Sequence, residues 1–87
     1  MPTISVITTF YNSAKTLAET IHSVLQQDFD DFEFILVDDG SSDQSIDVVK
    51  SFKDNRIRLL KPGRIGRANA LNYALNNSLG DYIAIID

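Results

Sequence analysis

The chain has 87 residues, 44 % hydrophobic and 23 % charged, which is the composition of one small folded domain with a single core and argues against a disordered chain. Eight Lys and Arg against twelve Asp and Glu give a net charge of −4, so no overall positive field exists to draw in nucleic acid or anionic lipid. There is no cysteine, which removes disulfides, thiolate metal sites and a Cys nucleophile.

The chain opens without a basic segment or signal-peptide pattern, because Met1-Pro2 leads directly into a strand. Its longest apolar runs, such as Tyr82 to Ile86, are far too short to span a bilayer. Both points favour a cytoplasmic protein. Ile4 to Thr9, rich in β-branched residues, predicts a strand buried on both faces. Asn12 or Ser13 can cap a helix running to about Gln27, with Leu17, Ile21, Val24 and Leu25 on one face. His22 lies on the flank of that face and reads as ordinary surface. Asp28, Asp30 and Asp31 form a solvated acidic turn without metal-ligand spacing.

A second strand follows from Phe32 to Asp38, then a helix capped by Ser42 or Asp43 and reaching about Lys53, with Ile46, Val49 and Phe52 inward. Arg56 to Lys61 alternates charged and apolar residues as far as Leu59, which suits a short edge strand carrying protective charge, and Pro62-Gly63 ends it. A third helix is expected from about Ile65 to Ser78, burying Ala68, Leu71, Ala74 and Leu75, with Gly80 as its terminator. Asp81 to Asp87 is the fourth strand. The order β-α-β-α-β-α-β predicts a Rossmann-like α/β/α sandwich around a mainly parallel four-stranded sheet. An apolar strand that closes the sequence at Asp87 reads as the front part of something longer.

In open parallel sheets, ligands sit outside the carboxyl ends of the strands. Here those ends carry Thr9 and Tyr11, the pair Asp38-Asp39, Pro62-Gly63-Arg64, and Asp87. Adjacent strand residues point to opposite faces, so one of Asp38 and Asp39 holds the loop and the other faces the ligand. A carboxylate there accepts from a nucleobase N–H or a ribose hydroxyl but cannot hold phosphate. Arg64 and Arg67, flanking Gly66 at the entry of the third helix, suit an anion. Tyr11 can lie against a base while Thr9 supplies a hydrogen bond. Each feature also has a plain structural reading: a turn-forming Asp, a solvated basic helix entry, a core-edge Tyr and a β-branched strand residue.

Taken in order, SVITTFYNSAKTL, SVLQQDFDDFEFILVDDGSSDQS, GRIGRANALNYAL and GDYIAIID resemble the start of the family 2 glycosyltransferases, which have the GT-A fold. The resemblance covers essentially the whole chain and implies strand order 3-2-1-4. It implies a nucleotide-diphospho-sugar donor, by family habit a UDP-sugar, a divalent Mn or Mg ion, and inverting transfer of the sugar to an acceptor hydroxyl. By position, Thr9 and Tyr11 match residues around the nucleobase, and Asp39 matches the carboxylate on the base or ribose, with Asp38 as its neighbour. Arg67 loosely matches a basic or polar position near the nucleotide, for which Arg64 competes. Asp87 matches the first Asp of the D-x-D motif, placed near ribose and the metal shell with an indirect role at the metal.

The resemblance further implies a carbohydrate or lipid-linked acceptor, a role in polysaccharide biosynthesis and action in the cytoplasm or at the cytoplasmic face of the membrane. The second Asp of D-x-D and the acceptor half are absent from the sequence. Residues 1–87 are therefore expected to form the N-terminal nucleotide-sugar-binding half of a GT-A domain, not competent for transfer alone and prone to self-association through an uncovered sheet edge. Two other classes stand beside this one, a non-catalytic α/β module and a receiver-like phosphoacceptor domain. The receiver reading fits poorly, since VDD ends the second strand and the third ends in Leu60-Lys61-Pro62 with no Asp.

Overall fold

A computed structural model describes residues 2–86. Four strands, β1 (Ile4–Phe10), β2 (Phe32–Asp38), β3 (Ile57–Leu60) and β4 (Tyr82–Ile85), alternate with helices α1 (Ala14–Leu25), α2 (Ser45–Lys50) and α3 (Arg67–Asn76). All pairings are parallel and the order is β3-β2-β1-β4. The register sets Ile4 beside Phe32 and Tyr82, and Phe34 beside Ile57. A receiver-type domain instead orders its strands 2-1-3-4-5, which places β3 next to β1, so the sheet order removes that alternative.

Crossovers of one hand explain the layers. The chain steps outward from β1 through β2 to β3, then returns past both to reach β4 on the other side of β1. Right-handed connections running in opposite directions put their helices on opposite faces. Accordingly α1 and α2 cover one face, where Leu17, Ile21, Val24 and Val49 pack with Phe10, Phe32, Phe34 and Leu36. On the other face α3 covers Ile7, Ile35 and Val37 through Ala70 and Ala74.

The buried face of α3 keeps the expected Ala74 but is otherwise turned from the one expected. Ala70 and Ala74, at i and i+4, have no side chain beyond Cβ and let the helix axis approach the sheet. Leu71 packs at the margin, whereas Ala68 and Leu75 are exposed. The expected helix caps are also revised. Ser13 and Gln44 occupy the N-cap positions of α1 and α2, and neither makes a side-chain cap bond. Asp43 serves both helices instead: its Oδ2 accepts from Ala14 N (3.3 Å) and its Oδ1 from Ser45 N (2.9 Å). The Ser45 hydroxyl donates to Asp43 Oδ1 and accepts from Ser13 N. These bonds, Ser45 Oγ–H first among them, hold the Asp43 carboxyl below its usual pKa.

At the amino ends of the strands lies a polar cluster that the sequence reading missed. Glu33, in a strand buried throughout, has a side chain only 7 % exposed. Its Oε2 accepts from the Ser5 hydroxyl and from Leu79 N (2.6 Å), and its Oε1 from Arg58 Nη1. Arg58 also donates to Asn77 O (2.8 Å), and Gly80 N donates to Ser5 Oγ (2.9 Å). Arg58 was expected to be protective charge on an edge strand; it is turned inward as the partner of a buried carboxylate. Arg56 likewise lies over the Phe32 ring, 4.7 Å from its centroid, and pairs with Asp54 and Asp30.

The α3–β4 connection is thus bonded to the base of the sheet, and at Gly80 it has no room to spare. A Cβ there would lie 2.6 Å from Ser5 N and 2.7 Å from Ile4 C. Both are backbone atoms of the central strand. Gly80→Ala is expected to cost about 1–3 kcal/mol of stability, read as a fall of roughly 4–8 °C in Tm per kcal/mol in thermal unfolding.

Candidate functional site

The carboxyl ends of β1 and β2 and the entry of α3 enclose a cleft of about 660 Å³, lined by Thr9, Phe10, Tyr11, Asp39, Arg64 and Arg67 among others. Its floor follows from the sheet, since Asp39 N donates to Phe10 O (2.9 Å) and carries the pairing of β1 and β2 one step beyond the strands.

The rim is fixed by cross-loop bonds. Asn12 adopts φ 48°, a left-handed conformation that Asn tolerates better than most residues. Its Oδ1 accepts from Ser42 N (2.8 Å) and Asp43 N (3.2 Å), and its N–H donates to Ser41 Oγ (2.9 Å). Asn12 was read as a possible helix cap. It instead ties the loop after β1 to the loop after β2, and Tyr11 stands beside this tie, 44 % exposed.

The two adjacent aspartates divide their work as strand geometry requires. Asp38 is buried and its Oδ1 accepts from Ser41 N (2.9 Å), closing the turn. Unlike Asp39, it is not among the residues that line the cleft. Asp39, with its side chain 6 % exposed, faces the cleft. Its Oδ1 accepts from Ile65 N (2.8 Å) and Gly66 N (2.9 Å), and its Oδ2 accepts from Arg64 Nη1 (2.8 Å). The carboxylate therefore anchors the loop that leads into α3.

Gly40 makes this approach possible. At φ +77°, a Cβ on it would meet Arg64 Cβ at 2.8 Å and Arg64 Cα at 3.0 Å. The Arg64 guanidinium lies over the Tyr11 ring, 3.7 Å from its centroid. Thr9, Tyr11, Asp39, Arg64 and Arg67 are thus brought together, Asp38 is set apart, and Asp87 lies outside the described residues. Among the described residues no group of three or more His, Asp or Glu side chains could hold a metal ion. No helix among them is long and apolar enough to cross a membrane.

An aromatic face, a buried carboxylate and two arginines around one cleft can take a planar, N–H-bearing ring that carries an anionic tail. The Glycosyl transferase family 2 model matches residues 5–87. The chain belongs to glycosyltransferase family 2. It is 40 % identical to glycosyltransferase GlyG of Streptococcus pneumoniae serotype 4 over 87 residues, covering 97 % of this chain and 29 % of that protein.

Among solved structures, the fold matches that of a mannosyltransferase from Pyrobaculum calidifontis in complex with GDP-Man and Mn2+ (TM-score 0.85, 29 % identity, 94 % of this chain, 26 % of that one). It also matches TarS of S. aureus in complex with UDP (TM-score 0.83, 31 % identity, 98 % of this chain, 27 % of that one). The family 2 chain described here thus spans under a third of the length of these proteins. Its sheet and helices are those of a GT-A glycosyltransferase.

Proposed function

We propose that residues 1–87 form the N-terminal, donor-binding half of the GT-A domain of an inverting glycosyltransferase, with the cleft beside Tyr11 and Asp39 as its nucleoside subsite. The observation that carries this reading is the meeting of Tyr11, Asp39, Arg64 and Arg67 in one cleft at the carboxyl ends of a parallel sheet. Tyr11 offers its ring to a base, Asp39 Oδ2 accepts an N–H or a ribose hydroxyl, and Thr9 supplies a further polar contact at the floor. Arg64 and Arg67 give a net-negative protein the local positive charge that a diphosphate needs.

These residues bind and orient the donor so that its anomeric carbon faces an acceptor hydroxyl in line with the leaving diphosphate. Removal of the acceptor's proton requires a carboxylate base, assigned to the rest of the protein. A divalent cation, Mn or Mg, would offset charge on the departing diphosphate. Asp87 is proposed to stand near it, while the described residues by themselves make no cation site. UDP-sugar is the proposed donor, supported by the UDP complex of TarS, and the mannosyltransferase complex makes GDP-sugar the comparator. The proposed acceptor is a carbohydrate or lipid-linked sugar in polysaccharide assembly at the cytoplasmic face of the membrane.

Titration calorimetry of the full-length protein with UDP, GDP and dTDP in the presence of Mn2+ tests the assignment. Saturable 1:1 binding of one of them, lost on Tyr11→Ala, is the expected result. Absence of binding by all three overturns it.

A further inference from the structure

We propose that Arg64 is a built-in stand-in for the nucleobase: its guanidinium covers Tyr11 and Asp39 in the free protein and must swing away before a donor can enter. The proposal rests on the nucleoside-subsite reading above. The guanidinium carbon lies 3.7 Å from the Tyr11 ring centroid, so a planar cation fills the layer that a stacked base needs. Nη1 of the same side chain donates to Asp39 Oδ2 at 2.8 Å and to Asp39 O at 3.3 Å.

The other carboxylate oxygen cannot serve an incoming ring. Oδ1 already accepts from Ile65 N and Gly66 N, two donors for its two lone pairs. Oδ2 is the oxygen left for a ligand, and Arg64 holds it. One side chain therefore occupies both the stacking face and the hydrogen-bonding position.

It can leave without disturbing the fold. The Arg64 backbone is wedged against Gly40, and the two N–H groups that follow it are fixed on Asp39, so the main chain is pinned. The side chain is 58 % exposed and is held at its tip by Asp39, through an ion pair with a longer bond to the main-chain carbonyl, and by one ring contact. At such exposure these two contacts together favour the closed position by roughly three- to thirty-fold. Apparent affinity for a base is lowered by the same factor, because only the open fraction binds. Once displaced, the guanidinium is free to meet the diphosphate, and one residue then exchanges a ring contact for a phosphate contact as the donor enters.

The test uses the full-length protein and whichever of UDP, GDP and dTDP it binds, together with the matching nucleoside, which has no phosphate. Arg64→Ala keeps the Cβ that packs against Gly40. It is expected to tighten nucleoside binding three- to thirty-fold in calorimetry, while diphosphate binding gains less or weakens. Arg64→Lys keeps the charge but not the planar stack, and is expected to bind nucleoside more tightly than wild type. Unchanged or weaker nucleoside binding by both variants overturns the stand-in role and leaves the nucleoside subsite intact. Failure of the wild type to bind any of the three nucleotides overturns the subsite and the stand-in together.

Discussion

Glu33→Ala is expected to be among the most damaging single substitutions in this domain, at about 2–4 kcal/mol. Removing the carboxylate leaves Leu79 N–H without its acceptor, leaves the Ser5 hydroxyl without its strongest partner, and strips Arg58 of its counter-charge. Arg58 is about one-third exposed and regains some hydration, which keeps the figure below that of a fully enclosed pair. A small domain has only about 5–15 kcal/mol in total, so urea unfolding should show a clear fall in midpoint.

The effect depends on pH in a definite direction. Burial opposes ionisation of Glu33, but the Ser5 hydroxyl, Leu79 N–H and Arg58 outweigh it and hold the carboxyl below its ordinary value of 4.5. A depressed carboxyl stabilises the fold above the unfolded value, and that contribution is lost as pH falls through the folded one. Wild type should therefore lose stability below about pH 4.5, whereas Glu33→Gln should be weaker at neutral pH and show a flatter acid limb. Equal acid slopes in the two proteins would show that Glu33 is not the responsible group.

Asp39→Ala is expected to abolish detectable nucleotide binding and to cost about 1–3 kcal/mol of stability. The binding loss follows from removal of the acceptor and from release of the 64–66 loop, which forms one wall of the cleft. Asp39→Asn separates the two effects. One amide oxygen can still accept from Ile65 and Gly66, but its NH2 then faces the donor Arg64 where a carboxylate oxygen had been. It should keep most of the stability while binding weakens by tenfold or more, about 1.4 kcal/mol. Calorimetry and thermal unfolding on the same preparations decide the matter.

The contrast between Asp39 and Glu33 shows what could be seen in the sequence. Four strands, three helices and their order were legible because apolar runs alternate with turn-forming residues along the chain. The position of the cleft was legible because parallel sheets expose polar residues at one end, and Thr9, Tyr11, Asp39, Arg64 and Arg67 all fall there. Three-dimensional partnerships were not. Glu33 announces itself only as a charge inside an apolar strand, and its partners Ser5, Arg58 and Leu79 become visible once the register sets Ser5 beside Glu33. A two-residue motif could not say which of Asp38 and Asp39 turns inward, since the answer depends on the Ser41 turn. On α3 the expected Ala74 is buried and Leu71 packs at the margin, but Ala70 replaces Ala68 and Leu75, because the exact turn of the helix is set by its close approach to the sheet.

The helices flanking the first two strands begin on borrowed support: Asp43 serves the start of α1 from a neighbouring loop, and Ser45, the first residue of α2, receives an N–H from the start of α1. Neither helix can fray at that end without loosening the other, and Asn12 binds the same two loops a second time. The ledge carrying Tyr11 is consequently tied to the starts of both helices. On the proposed donor-binding reading, variants selected for a changed donor should accumulate at side chains reaching over that ledge, Arg64 first, and spare the ledge.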